Sequence, residues 1–389
     1  VQIDHGSRLS AALDGVRALA AFAVFAGHAR GVWFVEHGEL ASAGALEHGF
    51  YFATGLGHQA VLVFFVLSGL FIGQAIRART ERGAWSWPAY AVDRLSRLWV
   101  VVLPALVLTA LCDALGARLA PDVYSGAHPS NVIGAASARF GLDTLIGNAL
   151  FVQTLTLGTH TVDTFGSNGA LWSLANEFWY YLLFPLALRA ATARSNVERA
   201  LSTVLALVGA WFVGGAILTY FPAWLLGAAL AWRSVPQLGT RGARVAFLAC
   251  GAAFAAALAF ARMRHGLVGD FAVAITFTAL VASLATFPSA AAPATSLAAR
   301  AATLVASSSF TLYAIHLPLV VLSFALLRSP ADTLTRIEPT SANLLFFALA
   351  LACGLVVAHL VARATEAHTG ALRRRVQRLL VRERRAVAA

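Results

Sequence analysis

Apolar residues run along this chain in stretches of about 20, separated by short polar or arginine-bearing segments. A hydrocarbon core about 30 Å thick needs helices of that length. The pattern therefore predicts spans at 11–35, 51–76, 98–117, 170–188, 201–217, 218–232, 245–261, 271–287, 301–327 and 342–362. The stretch 201–232 is divided at Tyr220 to Pro222, and 143–157 is short enough to be a partial or re-entrant helix. No internal repeat is visible, and no pair of Gly- or Pro-broken helices in matching halves. The expected fold is all-α, a polytopic transmembrane helical bundle of about ten membrane-spanning helices over 1–362, followed by an Arg-rich cytoplasmic tail, 363–389. The first apolar run reads as a retained helix, with no small-residue cleavage site after it.

Composition supports that picture: 59% hydrophobic, 12% charged and a mean hydropathy of +0.73 exclude an ordinary soluble domain. The net charge of +11 is explained by topology, since no basic and aromatic motif of a nucleic-acid module accompanies it. With both termini cytoplasmic, 21 of the 29 arginines fall inside, seven outside, and Arg17 in the membrane. The positive-inside rule selects that orientation, which suits a multi-pass protein of the inner (cytoplasmic) membrane. The absence of lysine suggests a GC-rich bacterial genome. Cys112, Cys250 and Cys353 lie singly in apolar runs and read as small hydrophobes, so neither a disulfide nor a metal site is expected. The segment 118–169, rich in Gly, Ser, Thr and Asn, is expected outside, as a recognition loop or a solvated lid.

Polar chemistry recurs where apolar residues would suffice. In "LDGVRALAAFAVFAGHARG", 13–31, Asp14 and Arg17 are three apart and can pair, and Arg17 and His28 are eleven apart. Eleven helical steps return to nearly the same face, roughly 16 Å further along the axis. Charges facing lipid are costly, so this stripe is expected to face an interior space holding water or ligand. The alternative is an Arg17 that snorkels to the interface and a His28 bonded to a neighbouring carbonyl. "FFVLSG", 64–69, puts Ser68 and Gly69 where a helix or a thin ligand can approach closely. "RLSRLW" sets Arg94 and Arg97 on one face at the start of the third helix, as phosphate forks or as ordinary inside charge. In "LWSLANEFWYYLLFP", 171–185, Ser173 and Glu177 share a face beside Trp172, and an acid there needs a partner, a proton or interfacial water. "SSSFTLYAIHLP", 307–318, carries Tyr313 and His316 before Pro318, suited to an interhelical contact or to catalysis.

Taken in order, these motifs resemble the acyltransferase 3 family of multi-spanning membrane acyltransferases. The resemblance rests on Arg17 and His28 with ten residues between them, FFVLSG, the Arg94 and Arg97 pair, WSLxxE at 172–177 and YxxH at 313–316, and runs from Leu13 to about residue 362. It implies transfer of an acyl group, commonly acetyl, from cytoplasmic acyl-CoA to a hydroxyl of a sugar, polysaccharide or glycolipid at the far membrane face. It implies too that Arg17 and His28 carry activity and that the paired arginines meet acyl-CoA. Two features depart from many relatives. Phe178 follows Glu177 where a second acid is common, and no hydrolase-like domain follows the bundle, which suggests a stand-alone O-acetyltransferase of the bacterial cell envelope.

The expected mechanism places the donor phosphates on Arg94, Arg97 and Arg77, with the pantetheine arm running past Ser68 and Arg17 toward His28. A neutral His28 would take the proton of the acceptor hydroxyl, or would itself carry the acyl group. Glu177 or His316 would orient His28 or the sugar, with Asp14, Trp172, Ser173 and Tyr313 in support. No metal is expected. The rival reading is a transporter or flippase of a glycan or lipid, which would need similar polar groups in the membrane.

Overall fold

The computed structural model describes residues 1, 3, 7–40, 42–130, 132–287, 303–327 and 334–388, without the side chains of Arg8 and 380–388. Arg300 and Arg328 lie outside the described residues, as do the side chains of Arg8, Arg382, Arg384 and Arg385, and the first two residues of the span expected at 301–327.

In chain order the helices are α1 (Arg8–Trp33), α2 (Ala45–Thr54), α3 (Gly57–Glu81), α4 (Trp87–Leu119), α5 (Pro121–Ser125), α6 (Leu142–Ala149) and α7 (Trp172–Thr192). They continue as α8 (Asn196–Leu218), α9 (Phe221–Trp232), α10 (Thr240–Met263), α11 (Leu267–Leu284), α12 (Ser309–Leu327), α13 (Ser341–Ala364) and α14 (Thr369–Ala388). Strands are confined, among the described residues, to a hairpin of β1 (Thr156–Leu157) and β2 (His160–Thr161). Among the described residues, eight helical stretches are long and apolar enough to cross a membrane: α1, α2 with α3, α4, α8, α10, α11, α12 and α13 with the start of α14. The two others counted from sequence are α7, which has Ser173, Asn176 and Glu177 in its first turns, and α9, which is only 12 residues long. The protein is a multi-pass, all-α membrane bundle.

Helix starts follow ordinary chemistry. The hydroxyls of Ser7, Ser86, Ser195 and Thr340 accept backbone N–H groups at the starts of α1, α4, α8 and α13. α9 begins with Pro222 in its first turn, at the break foreseen from sequence. Three boundaries depart from the sequence reading. α4 starts at Trp87 instead of 98, because the cap at Ser86 and Pro88 launch it eleven residues early; Arg94 and Arg97 therefore sit inside a helix. The span expected at 51–76 is two helices, with α2 ending at Thr54 and α3 beginning at Gly57. The segment 143–157 is the short helix α6 followed by a turn and the hairpin.

Helix direction is fixed by long-range contacts. Arg17 and His28 of α1 meet Ser309 and His316 of α12 in the same order, so the two helices run parallel. Ser68 and Arg77 of α3 meet the Trp224 indole and the Ala231 carbonyl of α9, so these too are parallel. Both relations are those expected if the ten segments alternate in direction. α3 and α9 approach so closely that a Cβ on Gly69 would overlap the Trp224 carbonyl, and one on Gly227 the Val66 carbonyl.

Two prolines free carbonyls that then organise the bundle. Pro185 in α7 leaves the Tyr181 carbonyl without a helical donor, and the buried Tyr90 hydroxyl donates to it at 2.9 Å. Pro318 in α12 does the same for Ala314, whose oxygen accepts from the Asn168 amide at 2.8 Å. Asn168 also donates to Thr109 of α4 at 3.0 Å, while buried Asp113 of α4 accepts from the Ser167 backbone and hydroxyl at 2.7 and 2.6 Å. Earlier in the same segment, the carbonyls of Ala149 and Phe151 accept from the indoles of Trp99 and Trp179. The segment 120–171 thus turns back between the helices, and α7 begins inside the bundle.

Candidate active site

Two cavities meet the polar residues of the bundle. The larger, about 780 Å³, opens beside the ends of α3 and α9 and the first turns of α1 and α4. Its walls carry Asp14, Arg17, Ser68, Arg77, Arg94, Arg97, Ser173, Glu177 and Tyr313, nine of the twelve residues singled out from sequence. The smaller, about 460 Å³, lies between α1 and the turned-back segment and is lined by His28 and Trp172 with Thr154, Thr161, Asp163 and Thr164. His316 lines neither cavity.

The arginines of the larger cavity are not equivalent. Arg77 donates to Glu81 at 2.7 Å and to the Ala231 carbonyl at 2.8 Å. Arg17 lies 3.4 Å from Asp14 and 3.3 Å from the Ser309 hydroxyl. Arg94 rests over the rings of Tyr90 and Tyr181, and Arg97 over Phe310, each 5.8 to 6.0 Å from the ring centre. Neither has a carboxylate within 4.0 Å among the described residues, and the buried Nε of Arg94 has no acceptor. Two guanidinium groups held by aromatic faces and left without counter-ions form a ready anion site. Arg79 is the contrast: it is ion-paired with Asp93, which also receives Arg373 at 3.6 Å and Gln377 at 3.3 Å from α14.

Glu177 accepts from the Ser68 hydroxyl at 2.7 Å and from Tyr181. Two hydroxyl donors therefore satisfy this acid within the larger cavity, and it makes no contact with His28. The inner wall of that cavity is Tyr313, whose hydroxyl bonds Ser173 at 2.6 Å and donates to the Ala170 carbonyl at 3.0 Å. Ala170 faces the smaller cavity, so this hydrogen-bonded pair stands between the two spaces. One turn along α12, the imidazole of His316 meets that of His28 at 2.7 Å. His316, not Glu177, is the partner of His28.

A family model described as an acyltransferase domain matches residues 10–363. The chain belongs to the acyltransferase 3 family. No curated protein and no solved structure is detectably similar to it. The chain is thus a membrane acyltransferase, with the two cavities inside the matched region.

Several residues of this acyltransferase site were not foreseen. Asp113, alone in the apolar run LCDALG, carried the signal of an acid within the membrane. It anchors the loop that leads into α7. Ser309, Tyr181 and the threonines of the smaller cavity had no such signal, because hydroxyl residues are common in apolar helices and polar loops alike. Arg139 also borders that cavity, yet its guanidinium bonds the Ile133 carbonyl, the Ala135 carbonyl and Thr164. Burial lowers its pKa from the ordinary value, and the nearby Asp163 and Asp113 oppose that shift. Thr154 reaches the cavity from a left-handed backbone, φ 72°, and its buried hydroxyl has no partner.

Proposed function

We propose that this acyltransferase moves an acyl group, most simply acetyl, from cytoplasmic acyl-CoA to a hydroxyl of a sugar, polysaccharide or glycolipid at the opposite membrane face. The carrying observation is the division of the site: a cavity with several arginines on one side of the Ser173–Tyr313 pair, and on the other a cavity lined by His28, threonine hydroxyls, Asp163, one indole and an arginine already hydrogen-bonded to its neighbours. Both volumes lie within the range of small-molecule sites.

In this reading the donor phosphates rest on Arg94 and Arg97, with Arg77 at the mouth, and the pantetheine arm lies along Ser68, Arg17 and Glu177. The arginine-bearing mouth faces the cytoplasm by the positive-inside rule, in the inner membrane of a bacterium. The thioester reaches the Ser173–Tyr313 pair, which parts to admit it. The acceptor sugar lies against Trp172. As its oxygen forms the new C–O bond, its proton passes to His28. The C–S bond breaks with its electron pair on sulfur, and the thiolate takes a proton from water on its own side. His28 then returns its proton to water in the smaller cavity.

A transporter or flippase of glycan or lipid would use similar groups, but a hydrogen-bonded wall between two differently lined cavities suits a small group passing through better than a whole sugar. The test is the glycan profile of a deletion strain by mass spectrometry. A missing acyl mass on an otherwise complete glycan supports the proposal; loss of the whole glycan from the surface, with no change in acylation, refutes it in favour of transport.

A further inference from the structure

We infer that His316 is a positioning residue that fixes the tautomer of His28, so that the Nε2 lone pair of His28 faces the acceptor cavity. The inference rests on the reading of His28 as the general base.

The geometry leaves one arrangement for two neutral rings. Nδ1 of His316 lies 2.8 Å from the Tyr313 carbonyl and 3.1 Å from the Leu312 carbonyl. Carbonyl oxygens only accept, so this nitrogen carries the proton. A neutral imidazole has one N–H, and Nε2 of His316 is therefore an acceptor. The nitrogen 2.7 Å away, Nδ1 of His28, must donate to it. The proton of His28 is thereby committed to Nδ1, and its other nitrogen is left as a lone pair.

Ring orientation agrees. The two imidazole planes are 3° apart, with centroids at 5.0 Å. With nitrogens only 2.7 Å apart, that is an edge-to-edge arrangement in nearly one plane, where the in-plane lone pair of His316 points at the His28 nitrogen. His316 has little freedom to turn: it is 1% exposed, with Phe25 edge-on at 5.9 Å and Tyr313 at the same distance. No carboxylate lies within 4.0 Å of either ring among the described residues, so the orienting role falls to a neutral imidazole and, through it, to a helix carbonyl.

The consequence is directional. When His28 takes the acceptor proton at Nε2, the positive charge it gains strengthens the Nδ1–H bond to His316, a charge-assisted contact present only during reaction. An alternative tautomer of His28 would present N–H to the acceptor hydroxyl and could not act as a base.

The test is nitrogen-15 magic-angle-spinning NMR of histidine-labelled protein in lipid nanodiscs at pH 7.5, with His28 assigned by difference from His28→Ala. The inference expects His28 protonated at Nδ1 and bare at Nε2. His316→Leu should abolish that preference and lower kcat about 10- to 100-fold, by analogy with losing the partner that orients a metal-bound histidine, with the KM for acyl-CoA unchanged. His316→Gln, whose amide oxygen can still accept from Nδ1, should restore the tautomer and most of the rate. Wild-type His28 protonated at Nε2 would overturn the inference, as would a His316→Leu protein that keeps both tautomer and rate. Should His28→Ala prove fully active while the tautomer is as expected, the base assignment fails and the positioning does not.

Discussion

The two cavities differ in chemistry more than in size. The larger is bordered by Arg17, Arg77, Arg94 and Arg97, and Arg94 and Arg97 have no carboxylate within 4.0 Å among the described residues. The smaller offers threonine hydroxyls, Asp163 and an indole, and its one arginine is occupied by backbone and Thr164 oxygens. An uncompensated cation within a bundle is costly, and in the proposed function Arg94 and Arg97 are offset by the phosphates of the donor. In the proposed function the threonine hydroxyls, Asp163 and the indole of the smaller cavity meet the hydroxyl-bearing acceptor. On the proposed function, the contrast places donor and acceptor in different cavities.

His28→Ala should break this comparison at its centre. Turnover per folded molecule should fall about 10²- to 10⁴-fold, the usual share of general-base catalysis, while acyl-CoA still binds. Stopped assays on protein checked by size exclusion decide the matter, and near-normal turnover would reassign His28 to structure. Next in size, Arg94→Ala or Arg97→Ala should weaken acyl-CoA affinity by about tenfold or more, because each charge-assisted phosphate contact contributes about 1.5–3 kcal/mol. Acceptor KM should hold. Arg79→Ala sharpens that result: the paired arginine should cost thermal stability and leave donor affinity alone, since removing it leaves the buried Asp93 only its longer contacts with Arg373 and Gln377. Equal loss of donor affinity in all three variants would reduce Arg94 and Arg97 to topological charge. The smallest effect is expected for Tyr90→Phe. It leaves the Tyr181 carbonyl without a donor, costing about 1 kcal/mol in melting experiments, yet keeps the ring beneath Arg94 and so the donor KM.

Much of this arrangement was legible in the order of residues. Spacing alone put Arg17 and His28 on one face of α1, and both do face α12. The break at Pro222 and the close approach at Gly69 were visible as local chemistry. What escaped notice was tertiary. The choice between Glu177 and His316 as partner of His28 depends on a contact across 288 positions, which no local pattern encodes. The early start of α4 was hidden because its first turns, with Asp93, Arg94 and Arg97, are too polar for a hydropathy window. The inward course of 120–171 was hidden for the opposite reason: its Gly, Ser, Thr and Asn content has no period, and its depth is set by Asn168, Asp113 and two indoles. Pro318 is itself a local clue, since a proline in an apolar helix advertises a free carbonyl one turn back.

The central claim is that donor and acceptor occupy opposite sides of the Ser173–Tyr313 wall. The most direct measurement is a cryo-electron-microscopy map of the protein in nanodiscs with a thioether analogue of acetyl-CoA, which binds but cannot transfer. The account predicts phosphate density at Arg94 and Arg97, an arm passing Ser68, and the acyl end against Tyr313, with His28 on the far side. Analogue density in the cavity bordered by Thr154 and Asp163, with Arg94 and Arg97 bare, would contradict it.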